Sequence, residues 1–246
     1  SVAALLTLAP DLSARSALDA WAQVATELAG ALACAAAALH TRGRARLVWS
    51  LFALAELTWA GTDTALALIE AGGGDVPEVG WLDVGWLSYY LIAGLATLLL
   101  YLRLRPERGS QGVIDGLIAT IALASLAWVG YLGSHAEAAA GGVLGTLVAA
   151  LYPALDLLCM AALAWIVVRA GRRSPVWVRW LVAAFAWQAV AGAAYLASVL
   201  PGHSPDTVAV VAFMCAGWCW VAAGLERLRA PQRAGPRFIG HVTCRQ

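Results

Sequence analysis

The chain has 246 residues, of which 61% are hydrophobic and 13% charged, with a net charge of +1 and a mean hydropathy of +0.74. A typical soluble domain carries roughly 25% charged residues, so this much apolar surface does not fit one water-soluble core. The balance excludes an ordinary soluble globule, a disordered chain, a disulfide scaffold and a basic-patch nucleic-acid binder. It requires a lipid bilayer as partner. There is no lysine, which rules out Schiff-base chemistry with retinal or pyridoxal.

Residues 2–9 are apolar but too short to span. They read either as an interfacial tail or, since the chain starts at Ser1 rather than methionine, as the stub of an eighth helix. Residues 1–17 form this N-terminal segment. Seven later segments each supply the ~20 apolar residues that a crossing helix needs. They fall at 18–40, 47–70, 85–103, 112–133, 143–168, 178–200 and 207–226. None alternates as a barrel strand would. The expected fold is therefore an all-α polytopic membrane bundle of seven helices over residues 18–226, followed by a basic, proline-containing tail or linker at 227–246.

The arginines set the orientation. Arg42, Arg44 and Arg46 follow the first helix, and Arg103, Arg105 and Arg108 the third. Arg169, Arg172, Arg173 and Arg179 lie between the fifth and sixth, and Arg227, Arg229, Arg233, Arg237 and Arg245 follow the seventh. These fifteen of the sixteen arginines fall on one side, which the positive-inside rule makes the cytoplasm. The first full helix then starts outside, the C-terminus is cytoplasmic, and the protein is a multi-pass protein of the plasma membrane.

Ionisable side chains at membrane depth cost about 2.5–3.5 kcal/mol each on the insertion scale, so they turn toward the bundle or water. Glu27, Glu56, Asp63, Asp115 and Asp156 are such residues. Trp49, Glu56, Asp63 and Glu70 are spaced by sevens in the second helix and form one stripe, with Trp59 close to the same face. This predicts a polar-aromatic cavity facing outward between the second, third and fifth helices, with a neutral Glu56 at its floor. Such a cavity suits a small cationic, hydroxylated or hydrophobic ligand; alternatively, the carboxyls are packing contacts between helices. Tyr152 and Asp156 share a face of the fifth helix, and Pro153 between them predicts a hinge or a static kink. Asp115 is expected to pair with Arg105 or Arg108. Trp21, Trp81, Trp86 and Trp177 fall near interfaces, whereas Trp59, Trp128, Trp165, Trp187, Trp218 and Trp220 lie deeper. The four histidines and five cysteines show no metal-ligand spacing, and no cofactor motif is present.

Several pieces resemble the multi-helix membrane domain at the N-terminus of actinobacterial diguanylate cyclases and their phosphodiesterase relatives. They are Trp59 with Asp63; Pro77, Asp83, Trp86, Tyr89 and Tyr90; Asp115 with Gly116; and Tyr152, Pro153 and Asp156. Their order and spacing agree over about residues 45–230. Leu91 stands where that family often has a proline, and no cyclase or phosphodiesterase domain lies within the 246 residues. The resemblance implies a sensory input domain for cyclic di-GMP signalling that is not itself an enzyme. It implies ligand-binding residues Trp59, Asp63, Asp83, Tyr90, Tyr152 and Asp156, to which the acidic stripe adds Glu56, with a cytoplasmic effector and a homodimer where the output is dimeric. A fainter similarity, at Phe52, Glu56 and Trp59, is to small seven-helix membrane terpene cyclases, in which Glu56 would be the proton donor. Those enzymes use another acid in a late helix, and here only Glu226 stands there, at the helix end.

Overall fold

The computed structural model describes residues 12–74, 80–104, 118, 125, 143–171, 174–198 and 207–230. The described residues form six long α-helices and no strand. They are α1 (Leu12–Leu39), α2 (Arg44–Ala71), α3 (Trp81–Leu104), α4 (Val143–Ala170), α5 (Val176–Ser198) and α6 (Thr207–Arg229). Among the described residues, four segments are long and apolar enough to cross a membrane: Ala17–Leu39, Trp81–Leu104, Val176–Tyr195 and Thr207–Arg229. Residues 2–9, the segment expected at 112–133 apart from residues 118 and 125, Asp115, Trp128 and the tail beyond 230 lie outside the described residues.

The helix ends differ from the sequence expectation by a few residues. α1 starts at Leu12 rather than 18, because a helix continues through polar residues that a hydropathy criterion excludes. α6 runs to Arg229, so Arg227 and Arg229 belong to its last turn and not to a tail. Arg229 donates to Glu226 Oε1 at 2.8 Å across that turn, and cations suit the negative end of a helix dipole. α2 likewise takes in Arg44 and Arg46.

Chain neighbours pack side by side, and α6 returns to pack on α1, so the described helices close into a ring. The α1–α2 turn uses Gly43 at φ 59°, a conformation that glycine adopts without strain. Gly171 at φ 53° does the same between α4 and α5.

The seam between α1 and α6 depends on small residues. A Cβ on Gly217 would stand 2.8 Å from Thr26 Oγ1, and one on Gly224 would stand 2.6 Å from the Ala33 carbonyl carbon. Both pairs advance by seven along each helix, so α1 and α6 run parallel. Glycine there lets the two backbones approach closely, as at membrane helix contacts generally.

The core is aromatic and small-residue rich. Trp49, Phe52, Tyr89, Phe185 and Trp220 are fully buried, with Ala37, Ala55, Ala93 and Ala184 filling between them. Leucines such as Leu32, Leu39, Leu91 and Leu98 point outward, as they do toward lipid. Tryptophans of like expected depth differ in burial. Trp177, expected at an interface, is buried, and Trp86 turns inward to a carboxylate. Trp187 and Trp218, expected to be deep, are exposed on the outside of the ring. Depth along a helix does not set rotation about it.

Candidate functional site

Asp63 is the most heavily bonded carboxyl in the described structure. Gln23 Nε2 on α1 donates to its Oδ2 at 2.6 Å, and Trp59 Nε1, one turn earlier on α2, donates to the same oxygen at 3.1 Å. Trp86 Nε1 on α3 donates to Oδ1 at 2.7 Å. One carboxyl thus ties three helices together. Thr62 beside it presses against Gly85, where no Cβ could be accommodated. The Glu27 carboxyl on α1 lies within hydrogen-bonding reach of both Asp63 and Gln23.

Trp59 passes this arrangement into an aromatic cluster. Its ring centroid is 4.8 Å from Tyr89, 5.9 Å from Tyr90 and 5.9 Å from Phe213. The first two are edge-to-face contacts, the arrangement that ring quadrupoles favour. Tyr90 continues to Tyr152 at 5.9 Å.

The tyrosine hydroxyls then join α3 to its neighbours. Tyr90 donates to Asp156 Oδ2 at 3.0 Å, and Tyr152 donates to Asp83 Oδ1 at 2.6 Å. Asp83 sits in the first turn of α3, where its Oδ2 also accepts the Gly80 backbone N–H at 2.8 Å. That is an N-terminal cap, favoured by the helix dipole. Tyr89 donates to Gln188 Oε1 on α5 at 2.8 Å. Asp83 meets Tyr152, Tyr90 meets Asp156 and Thr97 lies beside Cys159. The partners ascend together, so α3 and α4 run parallel.

Of the residues singled out from sequence, Trp59, Asp63, Asp83, Tyr90, Tyr152 and Asp156 fall in one connected set spanning α2, α3 and α4. Their rings and hydrogen bonds meet between α2, α3 and α4, where the sequence predicts a cavity. Glu56 points elsewhere. It is 2% exposed and takes part in none of the hydrogen bonds that hold Asp63, Asp83 and Asp156. It borders a separate cavity of about 10 Å³ between α1, α2, α5 and α6. Glu27, Gln188 and Trp220 supply that cavity's other polar groups, and Trp59 and Phe213 supply rings. Position 153 lies inside α4, but the proline ring is outside the described side chains.

Sequence reasoning left Gln23, Gln188 and Trp220 out of the site. Neutral amides and indoles carry no charge signal in an apolar helix. The stripe rule used on α2 would have found part of α3, since Asp83, Tyr90 and Thr97 are also spaced by sevens. Among the described residues no three His, Cys, Asp or Glu side chains are grouped to hold a metal ion.

Comparison of the chain with protein-family models, with curated proteins and with solved structures gives no match.

Proposed function

We propose that this chain is a sensory or signal-input domain of the plasma membrane, with seven spans, relaying to a cytoplasmic effector. The observation that carries the reading is the connected set of buried carboxyls and aromatic rings across α2, α3 and α4. Buried polar groups cost stability unless fully paired, and in membrane helices ionisable residues mark functional sites by default. Here they join four helices through side chains that a ligand or a change of packing would reorder together.

Helix direction supports the seven-span count. α2 runs against α3, because Asp63 meets Trp86 while Trp59 meets Tyr90. α1 runs with α6, and α3 runs with α4. Two parallel neighbours need the chain between them to return across the bilayer, and the sequence places an apolar segment at 112–133 for that purpose. With it, α1 and α6 point the same way after five intervening spans; without it they would oppose.

The arginines support the orientation. The α1–α2 turn, the C-terminal end of α3, the α4–α5 turn and the end of α6 then share one face. Arg103 and Arg227 lie within electrostatic reach of each other, as that arrangement requires. The positive-inside rule makes this face cytoplasmic. Asp83, Asp63 and Gly80 lie toward the opposite face, where a signal arriving from outside would be read. An effector of the diguanylate cyclase type, joined after α6 and working as a homodimer, fits the sequence resemblance.

The alternative reading, a terpene cyclase with Glu56 as proton donor, needs a pocket of hundreds of cubic ångströms. The cavity beside Glu56 measures about 10 Å³, too small for a prenyl substrate. The test joins the chain at Gln246 to a diguanylate cyclase domain and measures cyclic di-GMP in cells. Glu56→Gln and Asp63→Asn are each expected to change the output severalfold at equal membrane insertion. Wild-type output from both variants would overturn the reading.

A further inference from the structure

Two of the residues that line the cavity between α1, α2, α5 and α6 carry buried polar atoms that lack partners. Glu27 Oε2 and Trp220 Nε1 are buried without a hydrogen bond, in side chains that are 5% and 1% exposed. Both residues line the cavity together with Glu56 and Gln188. A buried unmet donor or acceptor costs about 1–3 kcal/mol. Its volume of about 10 Å³ matches the space that one water molecule needs, and a buried water requires two to four polar partners. An indole N–H supplies a donor, and the two carboxyls supply acceptors.

We infer that this cavity is a binding site for one water molecule, held by Trp220 Nε1, which joins Glu56 to the Glu27–Asp63 pair as a single proton-exchanging unit. Two carboxyls within hydrogen-bonding reach can bond only through a proton between them. Asp63 already accepts three N–H donors, so the shared proton belongs to Glu27. In the unit, a proton leaves the Glu56 carboxyl for the water while the water passes one to Glu27 Oε2. Glu27 in turn gives the proton it shares to Asp63. Glu56 ends ionised, Asp63 ends neutral, and Glu27 and the water are restored.

The titratable groups within electrostatic reach of Glu56 are Glu27 and Cys34 on α1 and Tyr89 on α3. Among the described lining residues, α5 and α6 contribute no charged group. Gly30 keeps the wall thin, since a Cβ there would stand 3.0 Å from Trp220 Cβ and 3.1 Å from Glu56 Oε2. The inference goes beyond the sensory reading and does not depend on any effector.

The test is infrared spectroscopy of the purified full chain in lipid nanodiscs. The carboxyl C=O band that Glu56→Gln removes is assigned to Glu56. Trp220→Phe, which deletes the N–H holding the water, and Ala216→Val, which fills the cavity from its apolar wall, are each expected to shift that band. In wild type the band should also respond to exchange of H₂O for D₂O. If either variant leaves the Glu56 band where it was, the inference is overturned; should Trp220→Phe fail to fold, Ala216→Val alone decides. Either result stands whether or not the chain signals.

Discussion

The Trp86 indole on α3 donates to Asp63 Oδ1 on α2 at 2.7 Å, which places a tryptophan near the end of one helix on a carboxylate inside the next. Together with Gln23 and Trp59 it leaves that carboxylate surrounded by N–H donors. The arrangement is matched to a carboxylate and poorly matched to an amide. Asp63→Asn turns one acceptor into a donor that faces donors. Loss of a hydrogen bond to a charged group costs about 1.5–3 kcal/mol. Asp63→Asn is therefore expected to lower the Tm in detergent micelles, and Asp63→Leu to lower it further by leaving three N–H groups unpaired, that of Trp59 fully buried. Equal Tm values for Asn, Leu and wild type would show that the three bonds do not support the fold.

The two tyrosine–carboxyl bonds between α3 and α4 should differ in weight. Tyr152→Phe removes one bond, but Asp83 keeps its bond from Gly80 and lies near the end of its helix. Tyr90→Phe strips Asp156 of its one described partner, because Asp156 Oδ1 already has none and the side chain is 1% exposed. Tyr90→Phe is expected to lower the Tm more than Tyr152→Phe. Thermal unfolding of the two variants side by side reads the order directly.

Glycine positions separate a tight seam from an open surface. Gly224→Ala pushes a methyl group into the Ala33 backbone, whereas nothing lies within 4 Å of a Cβ at Gly61. Overpacking of this kind costs about 1–3 kcal/mol. Gly224→Ala should lower the Tm by several degrees, while Gly61→Ala, an exposed helical site, should match or slightly exceed wild type. A neutral Gly224→Ala would mean that α1 and α6 do not meet there.

Much of this architecture was legible in the residues. Long apolar runs mark the helices because the hydrocarbon thickness fixes their length. The seven-residue spacing of Trp49, Glu56 and Asp63 places them on one face, and all three are buried. That spacing did not reveal how each helix turns toward its neighbours. Asp63 turns to α1 and α3, while Glu56, two turns away, turns to α1, α5 and α6. A drift of ~20° per heptad and the tilt of packed helices are enough to separate them. Gln23, Gln188 and Trp220 matter through their partners alone, and a partner on another helix leaves no mark in local sequence. Gly217 and Gly224 stand seven apart, a spacing that marks no seam by itself, and only packing shows that Thr26 and Ala33 oppose them.

The account depends on one arrangement: α1 and α6 parallel, their arginine-bearing ends together in the cytoplasm, and the Asp83 end outside. The most direct measurement replaces the five native cysteines by alanine, then introduces single cysteines at Gly43, Gly73, Gly171 and Ala230. A membrane-impermeant thiol reagent is applied to intact cells and to opened membranes. The account predicts labelling in intact cells at position 73 alone, with positions 43, 171 and 230 labelled only after opening. Labelling of 43 and 230 from opposite sides would contradict it, because α1 and α6 could not then run parallel with their arginines on one face.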